Sequence, residues 1–178
     1  MDRCVAQGRI KTRFARWDLA GSGELTRQDV EREAERIAGA FGVDPAHPAA
    51  SRLRASLGAL FDLCADQAGV SRDGTITEAQ FSTLSEDLIF EQGEAAFNRA
   101  LRPVIGGVVG VCDRDGDGRI DRTEFTRWLI ILGLDEQRAG EAFERIDVGG
   151  RGTLCLDELL SAIREYHYGR LDVELIAG

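Results

Sequence analysis

Residues 113–124 read Asp113-Arg114-Asp115-Gly116-Asp117-Gly118-Arg119-Ile120-Asp121-Arg122-Thr123-Glu124. Acidic side chains stand at positions 1, 3, 5, 9 and 12 of this stretch: Asp113, Asp115, Asp117, Asp121 and Glu124. Short acids at alternate positions of a tight loop converge on one centre. A hard cation such as calcium takes about six to eight oxygens from such a set. Gly118, at position 6, suits the sharp turn where a Cβ is costly. Arg119, at position 7, is expected to lend its backbone carbonyl and to point its side chain to solvent. Glu124 is long enough to offer two oxygens from the start of the following helix. Ile120, at position 8, faces away from the cation. The metal-ligand set read here is Asp113, Asp115, Asp117, Arg119, Asp121 and Glu124. An acidic surface turn is the alternative, but it explains neither the spacing of Glu124 nor the apolar helix that follows.

Working outward, the same twelve-residue frame recurs three times, with position-6 glycines at Gly23, Gly74 and Gly152 as well as Gly118. The first copy, 18–29, keeps Asp18, Ser22, Glu24 by its carbonyl, Thr26 and Asp29. Ala20 removes a ligand at position 3, and Asp29 is shorter than the usual glutamate. The second copy, 69–80, has Gly69 and Gln80 at its ends and one acid, Asp73; it is expected to keep its shape without metal. The fourth, 147–158, keeps Asp147 and Glu158. Its positions 3, 5 and 9 are Gly149, Arg151 and Cys155, none of them an oxygen donor by side chain. The affinities are therefore expected to rank third, first, fourth, with the second empty. The position-8 residues should pair as short antiparallel strands, Leu25 with Ile76 and Ile120 with Leu154.

Helical stripes flank every copy. They are Ile10, Phe14, Trp17; Val30, Ala34, Ile37, Phe41; Leu53, Leu57, Leu60, Phe61, Cys64; and Phe81, Leu84, Leu88. In the second half they are Phe97, Leu101, Val104, Ile105, Val108, Val111, Cys112; Phe125, Trp128, Leu129, Leu132; Ala139, Ala142, Phe143, Ile146; and Leu159, Leu160, Ile163. Gly42 and Gly133 are expected to end helices, and Asp135 to cap one. Asp44–Pro48 reads as a turn. Pro103 should kink or divide its helix. Gly106 and Gly110 should allow close helix packing. An apolar tail, Leu171, Val173, Leu175 and Ile176, follows Tyr166 and Tyr168.

This pattern is that of four EF-hands: an all-α chain with two pairs in one compact unit and short β pairings between loops. The pairs are placed at 1–92 and 93–178, with Glu91–Glu94 as a short hinge. Acids outnumber bases 31 to 22, a net charge of −9. The first half carries 14 acids and 11 bases and the second 17 and 11, so the second half is the more acidic and part of the excess is the third loop itself. That balance argues against nucleic acid and anionic membranes and suits a cation binder. Cys4, Cys64, Cys112 and Cys155 are scattered and are read as small core residues, without zinc spacing. The first ten residues lack an apolar signal core, and no run approaches the ~20 apolar residues of a membrane helix. A reducing, cytoplasmic setting is expected.

The stretches Arg13–Asp18, Leu88–Glu94 and His167–Leu175, together with the four loops, resemble the sarcoplasmic calcium-binding protein family. The likeness is to its bacterial, calerythrin-like branch and extends over nearly the whole chain. The resemblance implies two packed EF-hand pairs, a calcium buffer or transporter without enzymatic activity, and metal in the first, third and fourth loops. Here only the third keeps the full ligand set. Magnesium is the expected competitor. A calcium sensor that grips a target helix is the alternative function. Sensors of that kind rely on methionine-rich grooves, and Met1 is the only methionine. No nucleophile–base set or phosphate loop accompanies the two histidines, His47 and His167, so no enzyme is read. A monomer with no assigned protein partner is expected.

Overall fold

A computed structural model describes residues 3–175; Ile176, read above as part of the apolar tail, lies outside the described residues. Eight helices are present among them. In the first half they are α1 (Arg3–Trp17), α2 (Arg27–Ala40), α3 (Pro48–Ala68) and α4 (Glu78–Phe90). In the second they are α5 (Gly93–Cys112), α6 (Arg122–Ile131), α7 (Glu136–Ile146) and α8 (Leu156–His167). Four two-residue strands lie between them: β1 (Glu24–Leu25), β2 (Ile76–Thr77), β3 (Ile120–Asp121) and β4 (Thr153–Leu154). β1 pairs antiparallel with β2, setting Leu25 opposite Ile76. β3 pairs with β4, setting Ile120 opposite Leu154. All four residues are buried, so each strand pair ties two loops by backbone hydrogen bonds over an apolar plug.

Local chemistry sets the helix ends. Thr26, Thr77 and Asp121 are N-caps whose partners three residues on, Asp29, Gln80 and Glu124, bond back in capping boxes. Asp135 accepts the Arg138 N–H at 2.9 Å and caps α7. His47 caps α3 just after the Asp44–Pro45 turn, with Pro48 at the first helical position. Gly42 and Gly133 follow their helices in the left-handed conformation that the stop requires.

One continuous apolar core runs through both halves. The expected stripes supply most of it, but Leu60, Cys64, Leu84, Leu88, Leu132 and Ile146 are only partly buried, while Ile89 is buried deeply. Among the cysteines, Cys112 is a core residue, whereas Cys4 is exposed and does not fit that expectation. α5 packs on α3, α4 and α8 and so links the two EF-hand pairs. Pro103 does not divide it; the helix is continuous from Gly93 to Cys112. The close approach expected of Gly106 and Gly110 falls instead to Gly107. A Cβ there would stand 2.9 Å from Leu53 Cα, whereas a Cβ at Gly106 or Gly110 would meet nothing within 4 Å. The reason is helical phase: Gly107 shares the buried face with Val104, Val108 and Val111, while Gly110 is exposed. The tail folds back over α1, where Arg9 donates to Leu171 O at 3.1 Å. Among the described residues no helix is long and apolar enough to cross a membrane.

Candidate metal centre

The third loop links α5 to α6, and its backbone is shaped by its own acids. Asp113 Oδ1 accepts from Gly116 N–H and Oδ2 from Gly118 N–H, both at 2.8 Å. Asp115 accepts from Asp117 N–H at 3.1 Å, and Asp117 from Arg119 N–H at 2.7 Å. Gly116 and Gly118 adopt φ values of +76° and +77°, which residues with a Cβ seldom reach. The result is a group of three carboxylates, Asp113, Asp115 and Asp117, whose oxygens lie within 4.8 Å of one another; it is the one such group among the described residues.

The remaining sequence-derived ligands sit differently. Asp121 caps α6, accepting from Glu124 N–H at 2.8 Å. Glu124 is buried, and its two oxygens accept from Arg114 N–H at 2.7 Å and Asp121 N–H at 3.0 Å. It therefore spans the loop from position 2 to position 9, anchored at both ends by backbone donors. Arg119 departs from expectation: its side chain crosses to the fourth loop, where Nε donates to Thr153 Oγ1 at 2.6 Å. The physical reason is the β3–β4 pairing, which lays position 7 of one loop beside Thr153 of the other. Arg122 is likewise drawn away, to Glu144 at 2.7 Å. Two of the loop's cations thus have partners outside the carboxylate group, which leaves that group strongly negative.

The other loops differ in the places where side chains are lost. In the first, Asp18 accepts from Ser22 N–H at 2.9 Å and Gly23 N–H at 2.7 Å. The Gly23 bond is the main reason its carboxyl is held below the usual carboxylate range. Asp29, at position 12, is taken up by Thr26 and by the guanidinium of Arg32. In the second, Gln80 reproduces the capping box of a glutamate. The expectation that this loop keeps the shape of the others fails at its centre. Gly23, Gly118 and Gly152 have φ between +74° and +78°, but Gly74 lies outside the left-handed region and forms a turn with Ser71 O at 2.9 Å. With no acid at position 1 to accept its N–H, the backbone has nothing to wind around. In the fourth, Asp147 accepts from Arg151 N–H at 3.0 Å and Gly152 N–H at 2.7 Å. Glu158 is bound by the Arg151 guanidinium, a partner that the sequence did not reveal.

Four helix–loop–helix units, paired through strands between their loops and carrying one converging group of three carboxylates, define an EF-hand protein of the calcium-binding class. The chain is 51% identical over 176 residues to calerythrin from Saccharopolyspora erythraea, covering 99% of both sequences, and it belongs to the calerythrin family. No family model matches it. Among solved structures it is similar to a Streptomyces coelicolor calcium-binding protein described in connection with prokaryotic calcium-mediated regulation. The TM-score is 0.74 and the identity 27%, over 92% of this chain and 98% of that one. It also shares the fold of the ctenophore photoprotein berovin, whose three calcium-binding loops bind magnesium. There the TM-score is 0.71 and the identity 20%, over 89% of this chain and 86% of that one.

Proposed function

We propose that the protein is a calcium buffer or signal modulator whose principal site is the third loop. Its ligands there are Asp113, Asp115, Asp117, the Arg119 carbonyl, Asp121 and Glu124. The observation that carries this is the converging group of Asp113, Asp115 and Asp117, closed by the buried Glu124. Its donors are all oxygens, which suits a hard cation; the same set admits magnesium, the proposed competitor. The first loop is a weak second site. The second and fourth act mainly by pairing with their neighbours through β2 and β4. In this reading 1–92 and 93–178 are the two EF-hand pairs of a monomeric, cytoplasmic and non-catalytic protein. It has no affinity for nucleic acid, consistent with its charge of −9.

Buffering is favoured over target binding because the helical stripes meet in one core and leave few large apolar side chains exposed. A sensor must open to expose an apolar groove when calcium binds. The test is binding of an apolar-surface dye with calcium and with chelator. A buffer shows nearly equal signals, and a large rise in calcium contradicts the reading.

A further inference from the structure

Two adjoining apolar lobes of about 80 and about 70 Å³ border the core, the smaller reaching the exposed side chains of Leu63 and Gln67. Arg13, Trp17, Leu101 and His167 border both. Together the lobes match the roughly 150 Å³ of an apolar protein cavity that takes up benzene. An apolar cavity of that size is ordinarily dry and lined by carbon alone. This one has three buried donors at its larger lobe, Arg13 Nε, Arg16 Nε and Trp128 Nε1, and none has a hydrogen-bond partner.

The charges there do not balance. Among the described residues Glu33 is the one acid lining either lobe, and both its oxygens are held by Arg36, at 2.7 and 2.8 Å. Arg13 is half-buried and borders both lobes; burial holds its pKa below the ordinary guanidinium value, against the opposing pull of Tyr166 and Glu33. Its neighbour His167 brings no compensating charge. Burial, and then Arg13, push its pKa down to about 3, and its Nδ1–H is held by Ile163 O at 2.6 Å. A buried guanidinium without a carboxylate is costly, and a planar anion that accepts two N–H bonds is its best complement.

We propose that this cavity is a binding site for a small amphipathic carboxylate, an aliphatic or single-ring acid of about six to eight carbons. Its carboxylate pairs with Arg13, and its apolar body fills the lobes beside Trp17 and Leu101. The site is separate from the calcium loops and does not depend on which of them binds metal.

The test uses the whole calcium-saturated chain and the emission of Trp17 and Trp128, its two tryptophans, both of which border the larger lobe. Sodium hexanoate is titrated at constant ionic strength beside hexan-1-ol, the neutral molecule of equal length. The proposal expects saturable binding, at least tenfold tighter for hexanoate. In Arg13→Met that preference disappears, and the ligand-free variant melts higher than the parent because an unpaired buried cation is gone. Equal affinity for the two molecules in the parent chain, or no saturable change with either, overturns the proposal. Retention of hexanoate's advantage in Arg13→Met, or in the milder Arg13→Gln should the first variant fail to fold, overturns it as well.

Discussion

In the fourth loop the guanidinium of Arg151 is hydrogen-bonded to the carboxylate of Glu158, so position 5 supplies a cation to position 12 of the same loop. Arg119 of the third loop adds a second positive group, 3.7 Å from the other Glu158 oxygen. In the third loop the equivalent residues are both acids, Asp117 and Glu124. Arg151 therefore neutralises from within a loop that has already lost side-chain oxygens at Gly149 and Cys155. The pair is partly exposed, so it contributes only about 0–1 kcal/mol to stability. Its consequence is for metal binding.

Arg151→Asp should create a metal site. The change removes the nearer competing cation, leaves Glu158 with only the longer contact to Arg119, and gives the loop a third acid beside Asp147 and Glu158. Calcium calorimetry should then count one more weak site than in the parent chain. An unchanged stoichiometry contradicts the assignment of Arg151 as the block.

Glu124→Gln should weaken calcium binding at least tenfold, about 1.4 kcal/mol. The amide keeps the shape but loses the charge and one strong acceptor. The same variant should lose most of the calcium-dependent rise in melting temperature. For the parent chain at a hundredfold excess of calcium over Kd, the stabilisation is about 2.7 kcal/mol, or roughly 5–10 °C for a chain of this length. Parallel titration and melting curves for the two proteins provide the check.

His167 should make the calcium-free protein acid-sensitive. Its folded pKa lies at about 3, below the ordinary value of 6.5, chiefly because it is buried. Between these two values the unfolded chain binds a proton that the folded chain refuses. Stability is therefore full above about pH 6.5 and is lost as the pH falls towards 3, at up to about 1.4 kcal/mol per pH unit. His167→Asn should flatten denaturant-derived stability between pH 6.5 and 5 relative to the parent; equal slopes contradict this.

Gly107→Ala should destabilise the fold by about 1–3 kcal/mol, because the new methyl group meets the α3 backbone at Leu53. Gly106→Ala and Gly110→Ala have open space and favour the helix, so each should be neutral or stabilising by up to about 1 kcal/mol. Thermal melts of the three variants separate the cases.

These sites also mark how far the sequence could be read. The pairings of Leu25 with Ile76 and of Ile120 with Leu154 were legible because position 8 is set within each loop, so register follows once the loops are found. The convergence of Asp113, Asp115 and Asp117 was legible for the same reason. Gly107 was not, because a glycine pair four residues apart marks a face without saying which face is buried. The path of Arg119 to Thr153 depends on two loops 34 residues apart being neighbours, and no local pattern carries that. Gly74 matched the frame by position, yet its backbone depends on an acid at position 1 that Gly69 cannot replace. The cavity was hidden for a different reason. Stripes of apolar residues state that a core exists, not whether it is filled.

The anomalous signal of calcium in a crystal grown with the ion locates every occupied loop at once. One fully coordinated calcium is expected, held by Asp113, Asp115, Asp117, the Arg119 carbonyl, Asp121 and Glu124, with at most a partially occupied ion at Asp18. A fully coordinated ion at Asp147, or none at Asp113, would contradict it.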